Sequence, residues 1–136
     1  MGKKILVVDD EPEMLNLIRF TLDTAGYEVV TCDSGRHAWN AIIDNKPDLL
    51  LLDVMLPGID GYSLQIKISQ DDQTKEIPII VLTALEPSRT LFKKFPQVKG
   101  FMTKPFKTDD LVAEVEKTIG KAAVDGKAAN PANPAP

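Results

Sequence analysis

Three acidic residues stand where two apolar runs stop. Leu49-Leu50-Leu51-Leu52 runs into Asp53, and Ile5-Leu6-Val7-Val8 runs into Asp9-Asp10. Continuous apolar runs of this length read as parallel strands buried on both faces. Open α/β sheets build their sites beyond the carboxyl ends of such strands, so all three carboxylates are expected at one sheet edge. Crowded carboxylates resist ionisation unless a cation joins them, and hard oxygen ligands suit Mg2+. Read alone, Asp9 and Asp10 also suit a helix start, which acids favour.

Positioning such a cluster takes strands separated by helices, and the pattern alternates five times. Strand 5–8 precedes a helix over 12–25, with Pro12 at its start and Gly26 as its C-terminal cap. Leu15, Ile18 and Leu22 mark its buried face. Strand 27–32 leads to a helix over 35–45 with an apolar stripe of Ala38, Trp39, Ile42 and Ile43, stopped by Lys46-Pro47. Strand 48–53 leads to a helix over 61–70, and Pro78 is acceptable only at the start of strand 78–83. A short helix within 87–95 ends at Pro96, and strand 100–103 follows. The last helix, over 108–120, packs through Leu111, Val112, Val115 and Ile119. This alternation predicts an α/β domain whose five-stranded doubly wound parallel sheet is flanked by five helices. Right-handed crossovers favour the strand order 2-1-3-4-5.

The 136 residues fit one domain over 1–120. Residues 121–136 end in Ala-Asn-Pro-Ala-Asn-Pro-Ala-Pro, too proline-rich for a packed element, and read as a disordered tail or linker. The lone cysteine, Cys32, excludes an internal disulfide and a Cys-based zinc site. The first apolar run is too short for a signal peptide or a membrane span, so the chain reads as cytoplasmic with no membrane partner. The net charge of −4 hides a basic stretch of Arg89, Lys93, Lys94, Lys99, Lys104 and Lys107. That stretch is too mixed with apolar residues to argue nucleic-acid binding, and fits a solvated helix face or a docking face for an acidic partner. His37 falls on the exposed side of its helix, and Trp39 reads as packing.

Four motifs occur in order, each at a strand end: Val7-Val8-Asp9-Asp10-Glu11; Leu52-Asp53 with Met55, Pro57 and Asp60-Gly61; Leu82-Thr83-Ala84; and Lys104-Pro105-Phe106. Together they resemble the receiver (CheY-like) domain of bacterial two-component response regulators, over residues 3–120. The resemblance implies a flavodoxin-like fold and an expected role for each residue. Asp53 is the expected phosphorylation site, its carboxylate attacking the phosphorus of a phosphohistidine on a sensor histidine kinase, or of a small acyl phosphate. Asp10, Asp53 and the backbone carbonyl of Met55 match the family's Mg2+ ligands, and Asp9 the acid that holds the ion through water. Lys104 and Thr83 match the phosphoryl contacts, and Ala84 is small enough to admit the donor. The Lys104-Pro105 bond is expected to be cis, which aims the lysine into the site. Thr83 and Phe101 match the switch pair: as Thr83 is drawn inward, Phe101 turns from exposed to buried and remodels a protein-binding face. The output protein is unknown, and no direct DNA contact is expected from this chain.

The segment Leu85 to Gly100 departs from the family. Phe95-Pro96-Gln97-Val98-Lys99-Gly100 stands where many receivers carry an Ala-Gly-Ala step and an acidic pair. It suggests a private partner face of Leu91, Phe92 and Phe95 with neighbouring lysines. Met55 and Leu85 occupy positions that tune hydrolysis, and neither holds a water well, so slow self-dephosphorylation is expected. Three alternatives stand beside a free-standing receiver. One is an excised receiver of a longer multidomain regulator or hybrid kinase. A pseudo-receiver would show a lost acid or lysine, and none is lost. A Mg-dependent phosphatase with an Asp nucleophile needs a second acid two residues on, where Met55 stands. A receiver is consumed by its own phosphorylation, so the chain is not expected to be an enzyme.

Overall fold

The computed structural model describes residues 3–55, 60–82 and 88–122. Its strands are β1 (Lys4–Val8), β2 (Glu28–Cys32), β3 (Leu49–Asp53), β4 (Ile79–Leu82) and β5 (Val98–Met102). Its helices are α1 (Pro12–Thr24), α2 (Ala38–Asn45), α3 (Gly61–Gln70), α4 (Ser88–Phe92) and α5 (Thr108–Ile119). All strand pairs are parallel, in the order β2-β1-β3-β4-β5. The expected doubly wound sheet is therefore the one observed.

Period-two alternation along each strand divides the core into two layers. Leu6, Val8, Leu50, Leu52, Ile79 and Val81 face α2 and α3, meeting Ala38, Ile42, Leu64 and Ile68. Ile5, Val7, Leu49, Leu51, Ile80 and Leu82 face α1 and α5, meeting Leu15, Ile18, Leu22, Leu111 and Val115. Every residue of β3 and β4 is buried, which is why those strands show unbroken apolar runs rather than alternation.

Two glycines are dictated by the backbone. Gly26 ends α1 at φ +102°, a conformation L side chains rarely adopt. Gly61 opens α3 against Val54, where an added Cβ would lie 2.8 Å from the Val54 carbonyl oxygen. Lys46 closes α2 in the left-handed region at φ 46°.

Three sequence expectations shift. The helix expected over 35–45 begins with a 3-10 turn at Gly35–His37, where the Ser34 hydroxyl accepts from the Arg36 N–H. The fifth strand starts at Val98 rather than 100, because Ile79 pairs with Val98 and Ile80 with Gly100, leaving Lys99 as the extra residue of a bulge. Phe92, expected on a partner face, is buried in the α3-side core, edge-on to Tyr62 at 5.8 Å between centroids. Leu91 remains exposed and Phe95 half-buried.

Candidate functional site

Register alone carries the acids together. Val8 pairs with Leu52, so Asp9 and Asp53 emerge at the same level on adjacent strands. Leu82 pairs with Asp53 and with Met102, which brings the ends of β4 and β5 to that level too. After β1 the chain turns outward to β2 on one side, and β3 lies on the other. The crevice therefore opens at the switch point of the sheet, beyond the carboxyl ends of the strands.

Asp9 is fully buried, Asp53 nearly so, and Asp10 exposed, and each offers a carboxylate oxygen within 4.8 Å of the others. Asp9 also accepts from the Glu11 N–H at 2.9 Å, and Asp53 from the Met55 N–H at 2.8 Å. These local bonds fix each carboxylate's outer oxygen toward the crevice. Lys104 reaches in from the far side on a cis Lys104–Pro105 peptide. Its ammonium lies 2.6 Å from Asp9 Oδ2, 3.0 Å from Glu11 Oε1 and 3.1 Å from Asp53 Oδ2.

The electrostatics are lopsided. Burial pushes the Asp9 carboxyl above its ordinary value, despite hydrogen bonds from Lys104 and the Glu11 N–H, and the charge of Asp53 adds to the rise. Burial alone would lower the Lys104 ammonium, but its hydrogen bonds to Asp9, Glu11 and Asp53 outweigh that and hold it above the ordinary lysine value. Lysine is thus firmly charged and the acids remain in excess. Such a set of hard oxygen donors around an exposed carboxylate fits Mg2+.

Asp9, Asp10, Asp53 and Lys104 therefore converge. Met55 sits beside them with an exposed side chain. Phe101 is half-buried in β5, packed on the α3-side core, with the Arg89 guanidinium 5.1 Å above its ring. Thr83 and Ala84 lie outside the described residues, as do Pro57 and Leu85. Glu11 carried no role in the sequence reading, yet it is a direct partner of Lys104. Its signal was its place in the same acidic triplet.

A response regulator receiver domain family model matches residues 5–116. The chain belongs to the receiver-domain family. It is 39% identical over 120 residues to the phosphate regulon transcriptional regulatory protein PhoB of Pseudomonas aeruginosa, covering 88% of this chain and 52% of that protein. The chain thus spans about half the length of the curated relative. Its backbone is similar to that of the chemotaxis response regulator CheY4 of Vibrio cholerae, with a TM-score of 0.78 at 28% identity, covering 85% of this chain and 98% of that one. It is also similar to the receiver domain of the sensor histidine kinase PA1611 from Pseudomonas aeruginosa, solved with a magnesium ion coordinated in its active site cleft. There the TM-score is 0.77 at 31% identity, covering 89% of this chain and all of that one. The protein is a receiver domain of the two-component response regulator type. Among the described residues no helix is long and apolar enough to cross a membrane.

Proposed function

We propose that Asp53 is the phosphoryl acceptor of this receiver. The observation that carries the reading is a buried carboxylate held at 3.1 Å from a lysine and within 4.8 Å of two further acids. An Asp53 oxygen attacks phosphorus; the phosphorus–nitrogen bond of a phosphohistidine breaks, and its electron pair leaves with the imidazole. A sensor histidine kinase is the donor this chemistry fits, and a small acyl phosphate serves by losing its carboxylate. Lys104 meets the phosphoryl oxygens as a point charge. Asp10, Asp53 and the Met55 carbonyl would hold Mg2+ directly and Asp9 through water, the ion neutralising charge on the transferring group. Thr83 and Phe101 form the proposed switch toward an output protein, with Ala84 leaving room for the donor. The receiver occupies 1–120, with 121–136 as tail or linker, and acts in the cytoplasm. The chain is consumed as a substrate in this reaction and turns nothing over, so we do not class it as an enzyme.

The test is intact-protein mass spectrometry after brief incubation with Mg2+ and acetyl phosphate. One phosphoryl adduct is expected on the parent and none on Asp53→Asn. An adduct on both proteins would place the acceptor elsewhere and overturn the assignment.

A further inference from the structure

An ammonium has three N–H donors. In this site all three are taken by carboxylates: Asp9 at 2.6 Å, Glu11 at 3.0 Å and Asp53 at 3.1 Å. A phosphoryl oxygen arriving at Asp53 therefore gains a lysine N–H only when one of these bonds is surrendered. The three partners differ in what that surrender costs. Asp9 is fully buried, so bulk solvent does not replace the lysine there. Asp53 is nearly buried and is itself the reacting group. The Glu11 side chain is 61% exposed, so solvent takes over its carboxylate at little cost.

We propose that Glu11 is a positioning residue that holds Lys104 in the resting protein and competes with the incoming phosphoryl group for its third N–H. Glu11 is the one partner of the lysine that is free to let go, and its release hands a donor to the phosphoryl oxygen. This inference rests on the assignment of Asp53 as acceptor. The competition is modest, because an exposed carboxylate–ammonium pair shifts an equilibrium by up to about five-fold.

Two variants separate contact from charge. Glu11→Gln keeps the length and removes the charge. Glu11→Asp keeps the charge and withdraws the carboxylate by one methylene. Each is compared with the parent in two measurements: the second-order rate of phosphorylation by acetyl phosphate at saturating Mg2+, and the reactivity of Lys104 toward acetic anhydride in metal-free protein, mapped by peptide mass spectrometry. Both variants are expected to phosphorylate about three- to five-fold faster and to expose Lys104 to acylation by a similar factor. A structural role for Glu11 would shift the melting temperature and leave both readouts unchanged, which overturns the proposal. Acceleration in Glu11→Gln alone, with Glu11→Asp at the parent rate, also overturns it, since field and not contact would then be the cause. Asp53→Asn runs alongside. A parent that takes no phosphoryl group, or an Asp53→Asn that takes one, rejects the acceptor assignment; a parent that reacts at Asp53, with unaltered Glu11 variants, rejects only this inference.

Discussion

The two edges of the sheet bury polar side chains on opposite terms. At the carboxyl ends of the strands, Asp9, Glu11 and Asp53 share Lys104, Asp10 lies beside them, and acids remain in excess. At the amino ends, the buried polar groups are neutral and mostly paired. Gln97 donates to the Ile77 carbonyl at 2.8 Å and the Thr74 carbonyl at 3.1 Å, and accepts from Gln65 at 3.1 Å. Thr74 in turn donates to the Ile68 carbonyl at 2.7 Å. Among the described residues only Gln65 Oε1 is left there without a partner. One edge carries acids in excess of its single ammonium, and the other is satisfied as folded but for that one oxygen. Stability and function are thereby assigned to opposite ends of the same strands.

The comparison breaks most visibly at Gln97. Replacing it with leucine removes both donors and the acceptor at once, stranding the Ile77 carbonyl and the Gln65 amide in a dry interior and leaving the Thr74 carbonyl with the Ile77 N–H. A loss of about 2–4 kcal/mol in urea unfolding is expected, with the phosphorylation rate of the folded protein unchanged. A loss well under 1 kcal/mol would mean that water reaches this edge and that the contrast is false.

At the other edge, removing a polar charge has the opposite sign. The Asp9 carboxyl is held above its ordinary 3.8, mainly by burial. In the folded protein it therefore keeps its proton to higher pH than in the unfolded chain. Stability falls as pH climbs from about 3.8 through the raised value, and the penalty is fully present above it. Asp9→Asn is expected to raise the melting temperature of the metal-free protein by a few degrees at pH 7. The gain shrinks as pH drops toward 4, and also shrinks in the presence of Mg2+. Destabilisation at pH 7 without metal would show that the Lys104 hydrogen bond outweighs burial.

The functional edge was legible because its chemistry sits on the most regular part of the chain. The runs ending at Val8 and Leu52 name their strands, and a parallel register then levels Asp9 with Asp53 without further information. Lys104 was legible through its proline and its place after a strand. The structural edge was opaque for the opposite reason. Gln65, Thr74 and Gln97 have polar side chains that ordinarily mark a surface, and only the meeting of α3, the turn before β4 and the start of β5 makes them interior. Phe92 misled the sequence reading because a five-residue helix gives too few turns to reveal which face is apolar. The early start of β5 was hidden by the bulge at Lys99, which breaks period two at the point where a strand is recognised.

Tyr27 sharpens the contrast at the amino-end edge, since it is a titratable group that burial leaves neutral. Its hydroxyl donates to the Gly120 carbonyl at 2.8 Å, tying the start of β2 to the end of α5, where Lys3 also donates to the Ile119 carbonyl. Burial, with a smaller contribution from Glu116, pushes its pKa from 10.0 to about 12. Burial acts here with the neutral side chain and costs nothing at pH 7, whereas at Asp9 it works against the ionised form. Between pH 10 and about 12 the folded protein holds a proton that the unfolded chain has released, so the contribution of Tyr27 is intact below pH 10 and is lost as pH rises through that window. Tyr27→Phe is expected to cost about 1 kcal/mol at pH 8, the usual worth of one buried hydrogen bond. The gap between parent and variant should close as urea unfolding is repeated from pH 10 upward, because the variant has no phenol to ionise. A gap that stays constant to pH 11.5 would mean that the hydroxyl ionises alike in both states, and that this edge is no drier than the one that carries the acids.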